Sequence, residues 1–295
     1  MKKFLLILTS LFIIAVFYSN SGASFMTTHQ NPSDDTLKKV CISTGLGDIK
    51  IKFYNGTPQH RDNFIKLAKE DYFNGTLFHR VIQTFMVQGG DPDSKNADST
   101  EILGNGGPAY TIPAEILFDT ITNNTGTEVS KYLITKFFHK RGAIGAARDD
   151  NAAKASSGSQ FYIVQGRVFN DAMLNTTERS MQIMELLSKP ENAAAKLQYT
   201  KYLYSGNRTK ADSVFNAYGA ILDKQSGNIP KFKFNEEQRS LYKTIGGAPH
   251  LDGSYTVFGE VYEGMDVVDK IAAVKVDPAY NRPKHDVKIT VKIIE

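Results

Sequence analysis

Near the end of the chain, apolar Val287, Ile289, Val291 and Ile293 alternate with Lys288, Thr290 and Lys292. This two-residue period predicts an antiparallel strand with one buried and one wetted face. Two short apolar runs, 40–44 and 48–53, flank Gly45 and Gly47 and read as a hairpin. Thr57-Pro58 then opens a helix, Thr as N-cap and Pro at the first position, with Phe64, Leu67 and Ala68 on one face and Asn74-Gly75 as its stop. Further strands are expected over 77–87, 142–147, 160–164 and 255–261, and a short helix over 263–272 turns Met265, Val268 and Ile271 inward. Between 169 and 247 the period becomes helical. Thr176 or Thr177 caps a segment carrying Met181, Met184 and Leu187. Ser188-Lys189-Pro190 opens a second, with Leu197, Tyr199 and Tyr204, and Thr209 a third, with Val214, Tyr218 and Ile221. Asn235 with Gln238 forms a capping-box pattern ahead of Leu241 and Ile245.

The start of the chain belongs to neither pattern. Lys2 and Lys3 precede an uncharged apolar run over 4–18, followed by small residues up to Ser24. That order predicts a secretory signal over 1–23, with an uncleaved N-terminal anchor as the other reading. Residues 24–37 then read as a flexible tether, and the chain is expected to be exported, periplasmic or secreted. Membrane association is expected only if the leader stays attached.

Composition narrows the classes. In 295 residues, 18 Phe and 14 Tyr exclude a disordered chain, and a single cysteine excludes an intramolecular disulfide and a cysteine-rich zinc site. Cys41 lies among apolar residues and reads as a small core side chain. A net charge of +4, spread among acids, gives no footprint for nucleic acid; 169–247 alone holds 11 basic and 8 acidic residues. Asp91-Pro92-Asp93-Ser94-Lys95 begins like a calcium loop but has Lys95 at the third ligand position and Asn96 where the turn needs glycine. Gly104-Asn105-Gly106-Gly107 lacks the strand-to-helix setting of a phosphate loop.

The run from Phe78 to Pro92, Phe-His-Arg-Val-Ile-Gln-Thr-Phe-Met-Val-Gln-Gly-Gly-Asp-Pro, resembles the central motif of the cyclophilins, the peptidyl-prolyl cis-trans isomerases. Three further segments agree in the same order: 106–115, the Ser-Gln-Phe strand over 158–163, and the closing motif over 251–259 with 264–268. The resemblance covers about 38–166 and 248–295. It implies a mainly β fold, an eight-stranded antiparallel barrel capped by two helices. The expected organisation is a first barrel segment over 38–168, an α-helical insertion over 169–247 and a closing barrel segment over 248–295.

By the same resemblance Arg80 is the catalytic arginine, and Phe85, Met86, Tyr162 and Leu251 wall a proline slot; from the sequence alone each of the four reads as core, and it is the resemblance that reverses this. Gln88 and Gln160 correspond to the groups that orient Arg80 and the substrate carbonyl, and Ala147 to a backbone contact. His79 reads as a hydrogen-bonding rim residue. Three positions depart from the usual pattern: His250 stands where many relatives have Trp, Tyr255 where they have His, and Arg148 where many have Asn. With no Trp in the chain, weak cyclosporin binding is expected. No cofactor is expected, and the implied substrates are proline-containing unfolded or extended polypeptides. A non-enzymatic chaperone or scaffold using the same groove and the insertion is the alternative reading. The insertion enters between the strand ending near Val164 and Leu251, which places it beside the groove.

Overall fold

The computed structural model describes residues 37–124, 129–224 and 231–294; the leader expected over 1–23 and the tether up to residue 36 lie outside the described residues. Among the described residues no helix is long and apolar enough to cross a membrane.

The first hairpin joins β1 (Lys39–Thr44) to β2 (Gly47–Phe53), pairing Ile42 with Ile49 and Val40 with Ile51. Those four side chains are fully buried, as the alternation requires, and Cys41 consequently faces the other side of the strand. It is half-buried, 3.8 Å from the Ser43 hydroxyl, and not part of the core. Helix α1 (Pro58–Lys69) follows. Thr57 is its N-cap, but the hydroxyl makes no capping bond and is buried without a partner among the described residues. Glu115 does the capping from elsewhere in the chain: its carboxylate accepts the N–H groups of Gln59 and His60 at 3.0 Å each. The helix stops at Lys69, before Asn74-Gly75, and the turns at 70–76 complete the link.

The strand expected over 77–87 is two strands, β3 (Arg80–Ile82) and β4 (Met86–Gly89). Thr84 adopts φ 63°, and its N–H donates to the Gln165 side chain at 2.6 Å. A left-handed residue cannot continue a strand, so the chain folds back there. Next come β5 (Thr111–Ile112), β6 (Phe118–Asn124) and β7 (Val129–Thr135). After them lie β8 (Ala143–Ala146), β9 (Ser156–Ser157) and β10 (Phe161–Val164). The helical segment contains α2 (Asp171–Leu187), α3 (Ala193–Tyr204), α4 (Arg208–Lys224), the short β11 (Lys231–Phe232) and α5 (Glu236–Thr244). The chain closes with β12 (Val257–Glu263), α6 (Met265–Ala272) and β13 (Thr290–Ile293).

Eight strands form one antiparallel sheet in the order β13-β1-β2-β12-β8-β10-β4-β3. It curls until its two ends meet: Leu77 bridges Lys288, and Phe78 and Ile289 exchange backbone bonds with Val287 and Thr76. Helix α1 covers one opening with Phe64, Ile65, Leu67 and Ala68, and α6 contributes Val267, Val268, Ile271 and Ala272. Between them Phe53, Phe64, Phe73, Phe161 and Phe258 pack ring on ring. This is the mainly β architecture with two covering helices that the sequence implied.

Two features of the remaining chain depart from expectation. Helix α2 begins at Asn170, whose side chain accepts the Met173 N–H at 2.9 Å; Thr176 and Thr177 sit inside the helix, each hydroxyl donating to the carbonyl four residues back. Strands β6 and β7 form a hairpin that the pattern did not suggest, and β11 adds to it in parallel as a small separate sheet. The capping box at Asn235 and Gln238 forms as expected, with reciprocal bonds of 2.8 and 3.0 Å.

Candidate active site

Arg80 begins β3 at the edge of the barrel, and directly across the ladder lies Gln88 on β4. That register puts the two side chains on one face. The Arg80 guanidinium donates to Gln88 Oε1 at 3.1 Å, and Gln88 Nε2 donates to Gln160 Oε1 at 3.0 Å. Gln160 Nε2 donates in turn to the carbonyls of Gly104 and Gly106, at 2.9 and 2.7 Å. One chain of bonds thus aligns three side chains against a loop. The guanidinium is half-buried, and desolvation lowers its pKa; starting so far above neutrality, it stays charged. Only one of its N–H groups is engaged by Gln88, which leaves the rest of a rigid fork facing the groove.

The loop that receives Gln160 is itself fixed by Asp91, the residue at which a calcium loop would begin. Its fully buried carboxylate accepts the N–H groups of Asp93, Gly104 and Gly106. A Cβ at position 106 would stand 2.1 Å from that carboxylate, so the approach requires glycine.

Beside Arg80 runs a groove of about 850 Å³. Met86, Tyr162 and Leu251, 2%, 4% and 9% exposed, wall its apolar end together with half-buried Phe85. The Tyr162 ring lies against Gly145, where a Cβ would meet ring carbons at 2.3 Å. Its hydroxyl is held at 2.8 Å from His139 Nε2, and His139 Nδ1 lies 2.7 Å from Asp252 Oδ1. The Asp252 carboxylate also accepts the His139 backbone N–H at 2.8 Å and the Tyr242 hydroxyl at 2.5 Å. A neutral imidazole protonated on Nδ1 satisfies both of its neighbours. All four side chains are buried, and desolvation raises both phenols well above their usual pKa, keeping them as donors. Sequence reasoning missed this network, and nothing local announces it: Asp252 and His139 are 113 positions apart.

Of the three unusual residues, Arg148 and Tyr255 line the groove, whereas His250 lines a neighbouring cavity and reaches the groove through Phe85. His250 is exposed and packs on Phe85 with ring centroids 5.2 Å apart. Tyr255 stands edge-on to Tyr162 at 6.1 Å, and the Arg148 guanidinium lies 4.7 Å from the Tyr255 ring centre. Arg148 is held there by Nε donating to the Ser254 carbonyl at 2.9 Å. The backbone of Ala147, which lines the groove, is already engaged: its N–H donates to the Gln160 carbonyl and its C=O accepts from Ser157, one of the two acceptor sites of that oxygen.

His79 is not a hydrogen-bonding rim residue. Only 3% of it is exposed, and neither ring nitrogen has a partner among the described residues. The nearby Asp91 is occupied by the loop amides. Burial therefore lowers the imidazole pKa to about 4, against the weaker pull of Asp91.

The sequence pattern of the family described as cyclophilin type peptidyl-prolyl cis-trans isomerase/CLD matches residues 39–179 and 188–293. A Staphylococcus saprophyticus protein provisionally named a peptidyl-prolyl cis-trans isomerase is 30% identical over 259 residues, covering 87% of this chain and 92% of its own length. A Staphylococcus haemolyticus protein of the same provisional name is 27% identical over 256 residues, covering 86% and 90%. Among solved structures, a Cryptosporidium parvum cyclophilin type peptidyl-prolyl cis-trans isomerase, crystallised in the presence of the dipeptide Ala-Pro, aligns at 17% identity. That alignment has a TM-score of 0.47 over 87% of this chain and 99% of the other.

Proposed function

Because the chain belongs to the cyclophilin-type peptidyl-prolyl cis-trans isomerase family, we propose that the groove beside Arg80 is where it turns Xaa-Pro bonds. Resonance sets a barrier of about 18–20 kcal/mol to this rotation. The two isomers of an Xaa-Pro bond lie close in energy yet exchange over tens to hundreds of seconds. Neither bond making nor proton transfer is required. The catalyst must favour the twisted bond, in which the nitrogen turns pyramidal and recovers a lone pair. A donor fixed at that nitrogen stabilises the twisted form and neither planar one, so its interaction lowers the barrier.

The observation that carries this reading is the pairing of a fixed guanidinium with an apolar slot. Gln88 orients Arg80, and the guanidinium lines the same groove as Phe85, Met86, Tyr162 and Leu251, so its remaining N–H groups are available to an imide nitrogen if those four grip the proline ring. The Ala147 carbonyl flanks the residue before proline, and Gln160, buried with its amide engaged, holds Gln88 in place. His79, neutral and buried, shapes the wall and exchanges no proton.

The test is acceleration by the purified chain of cis-to-trans exchange in an Xaa-Pro tetrapeptide, followed with an isomer-specific protease. A rate equal to the uncatalysed one would replace the enzyme with a binding groove. The apolar leader over 1–23 supports placing the activity outside the cytoplasm, on unfolded or extended segments of exported proteins. N-terminal sequencing of the secreted product would show cleavage near residue 23; recovery of the intact chain in membranes would count against a cleaved signal. Cyclosporin binds weakly on this reading, because His250 offers neither the indole N–H nor the broad face of Trp. Inhibition at low nanomolar cyclosporin would refute it.

A further inference from the structure

A second cavity, of about 1190 Å³, opens beside the groove and shares Phe85, Arg148, Leu251 and Tyr255 with it. Its far wall is the helical segment: Met181 and Met184 from α2, Tyr199 and Leu203 from α3, and Phe232 from β11. These five are half-buried, presenting apolar surface that neither solvent nor core fully claims. Helix α3 buries none of its residues, with Leu197 71% and Tyr204 90% exposed. The charges around this cavity are unequal. Lys154 pairs with Glu185 and Lys196 with Asp150, while the Asp252 carboxylate is held inside the His139 and Tyr242 network. That leaves Arg148, Arg167, Lys189 and Lys231 facing it against Asp149.

We propose that this cavity is a second binding site for the same substrate: it takes the stretch of extended polypeptide flanking the Xaa-Pro bond, and prefers apolar and acidic side chains there. The inference rests on the prolyl-isomerase reading of the groove and goes beyond it by naming what the neighbouring residues select. Continuity carries it. A chain whose proline sits between Phe85 and Leu251 meets the second cavity across those same residues, and an extended strand advances about 3.3 Å per residue. Adjacent side chains of such a strand would alternate toward and away from the methionine-lined face. Methionine, unbranched and polarisable, packs against varied partners, which suits a site that must accept many sequences. The surplus of guanidinium and ammonium groups supplies the preference for acids.

The test uses the full chain and two substrates with the same Xaa-Pro centre: a tetrapeptide, and a longer peptide flanked by Leu, Phe and Asp. Met184→Glu with Leu203→Glu places like charge and polarity in the proposed site. The KM for the longer peptide rises by roughly tenfold or more, the worth of one or two buried apolar side chains, while tetrapeptide turnover stays within about twofold of wild type. Met184→Ser with Leu203→Ser, which adds no charge, shows the same split more weakly, and circular dichroism confirms that α2 and α3 persist. Equal effects on both substrates, or no effect on either, overturn the proposal. So does a wild-type dimer that the glutamates convert to monomer, because the face would then be an interface between copies. Should the wild type catalyse neither substrate, the isomerase reading fails separately; fluorescence anisotropy of the labelled longer peptide then decides the second site by whether the glutamates weaken its binding.

Discussion

Strand β10 and helix α3 stand at the two extremes of packing in this molecule. Every residue of Phe161–Val164 is buried, whereas no residue of Ala193–Tyr204 is. In β10 the two faces serve different ends: Phe161 and Ile163 complete the aromatic core, and Tyr162 turns the other way to wall the groove. The groove thus inherits the rigidity of the barrel, as a site that must hold a guanidinium in one place requires. Helix α3 leans on α4 through the tilted rings of Tyr199 and Phe215, centroids 6.0 Å apart, and leaves Leu197 and Tyr204 open. One region is built to fix atoms, the other to present surface.

The comparison breaks most readily where the two regions are tied. Asp252 joins the barrel to the helical segment that carries α3: its carboxylate holds His139, which holds Tyr162 in the barrel, and it also holds Tyr242 on α5. Asp252→Ala leaves buried donors unpaired from both sides and costs about 3–5 kcal/mol. Urea unfolding measures this; a loss under about 1 kcal/mol would mean the regions are not joined here. Next in size is the acid response of the barrel. The unfolded chain protonates His79 near the usual histidine value of 6.5, the folded chain only at about 4. Below pH 6.5 the unfolded state therefore binds the extra proton, and stability falls until pH reaches about 4. The loss sums to about 3 kcal/mol, and His79→Leu abolishes that share of the pH slope. An unchanged slope in the variant would place the titration elsewhere. Smallest is a change on the open helix. Leu197, 71% exposed, should tolerate Ser with a shift within about 0.5 kcal/mol; a larger one would show that α3 is covered by something.

How much of this was legible in the sequence follows the same division. Alternation located β1, β2 and β13 because each has one buried face. The motif around Arg80, Gln88 and Gln160 pointed to the candidate site because its residues lie within short, ordered segments, and the fold joins the three side chains by hydrogen bonds. The strand over 77–87 misled because alternation cannot register one left-handed residue, here Thr84. The hairpin of β6 and β7 escaped for a different reason: Thr120, Ile121 and Thr122 are good strand formers, but no alternation accompanies them. Pairing His139 with Asp252 needs the fold itself, since the two are 113 positions apart, and that pair is what links Tyr162 to Tyr242. The cap at 170 is readable in principle, because Asn170 ahead of an apolar helix is a better cap than a threonine nearly two turns later.

The claim on which the account turns is that Arg80 acts on the twisted bond and contributes little to holding the ground state. Magnetisation-exchange NMR on an Ala-Pro peptide, with wild type and Arg80→Ala, measures catalysed exchange at saturation and peptide affinity in one experiment. The account predicts a loss of roughly 10²–10³ in exchange rate, as for other fixed donors to a transition state, with affinity changed by only a few fold. Exchange that persists at the wild-type rate, or is lost only because the peptide no longer binds, would contradict it.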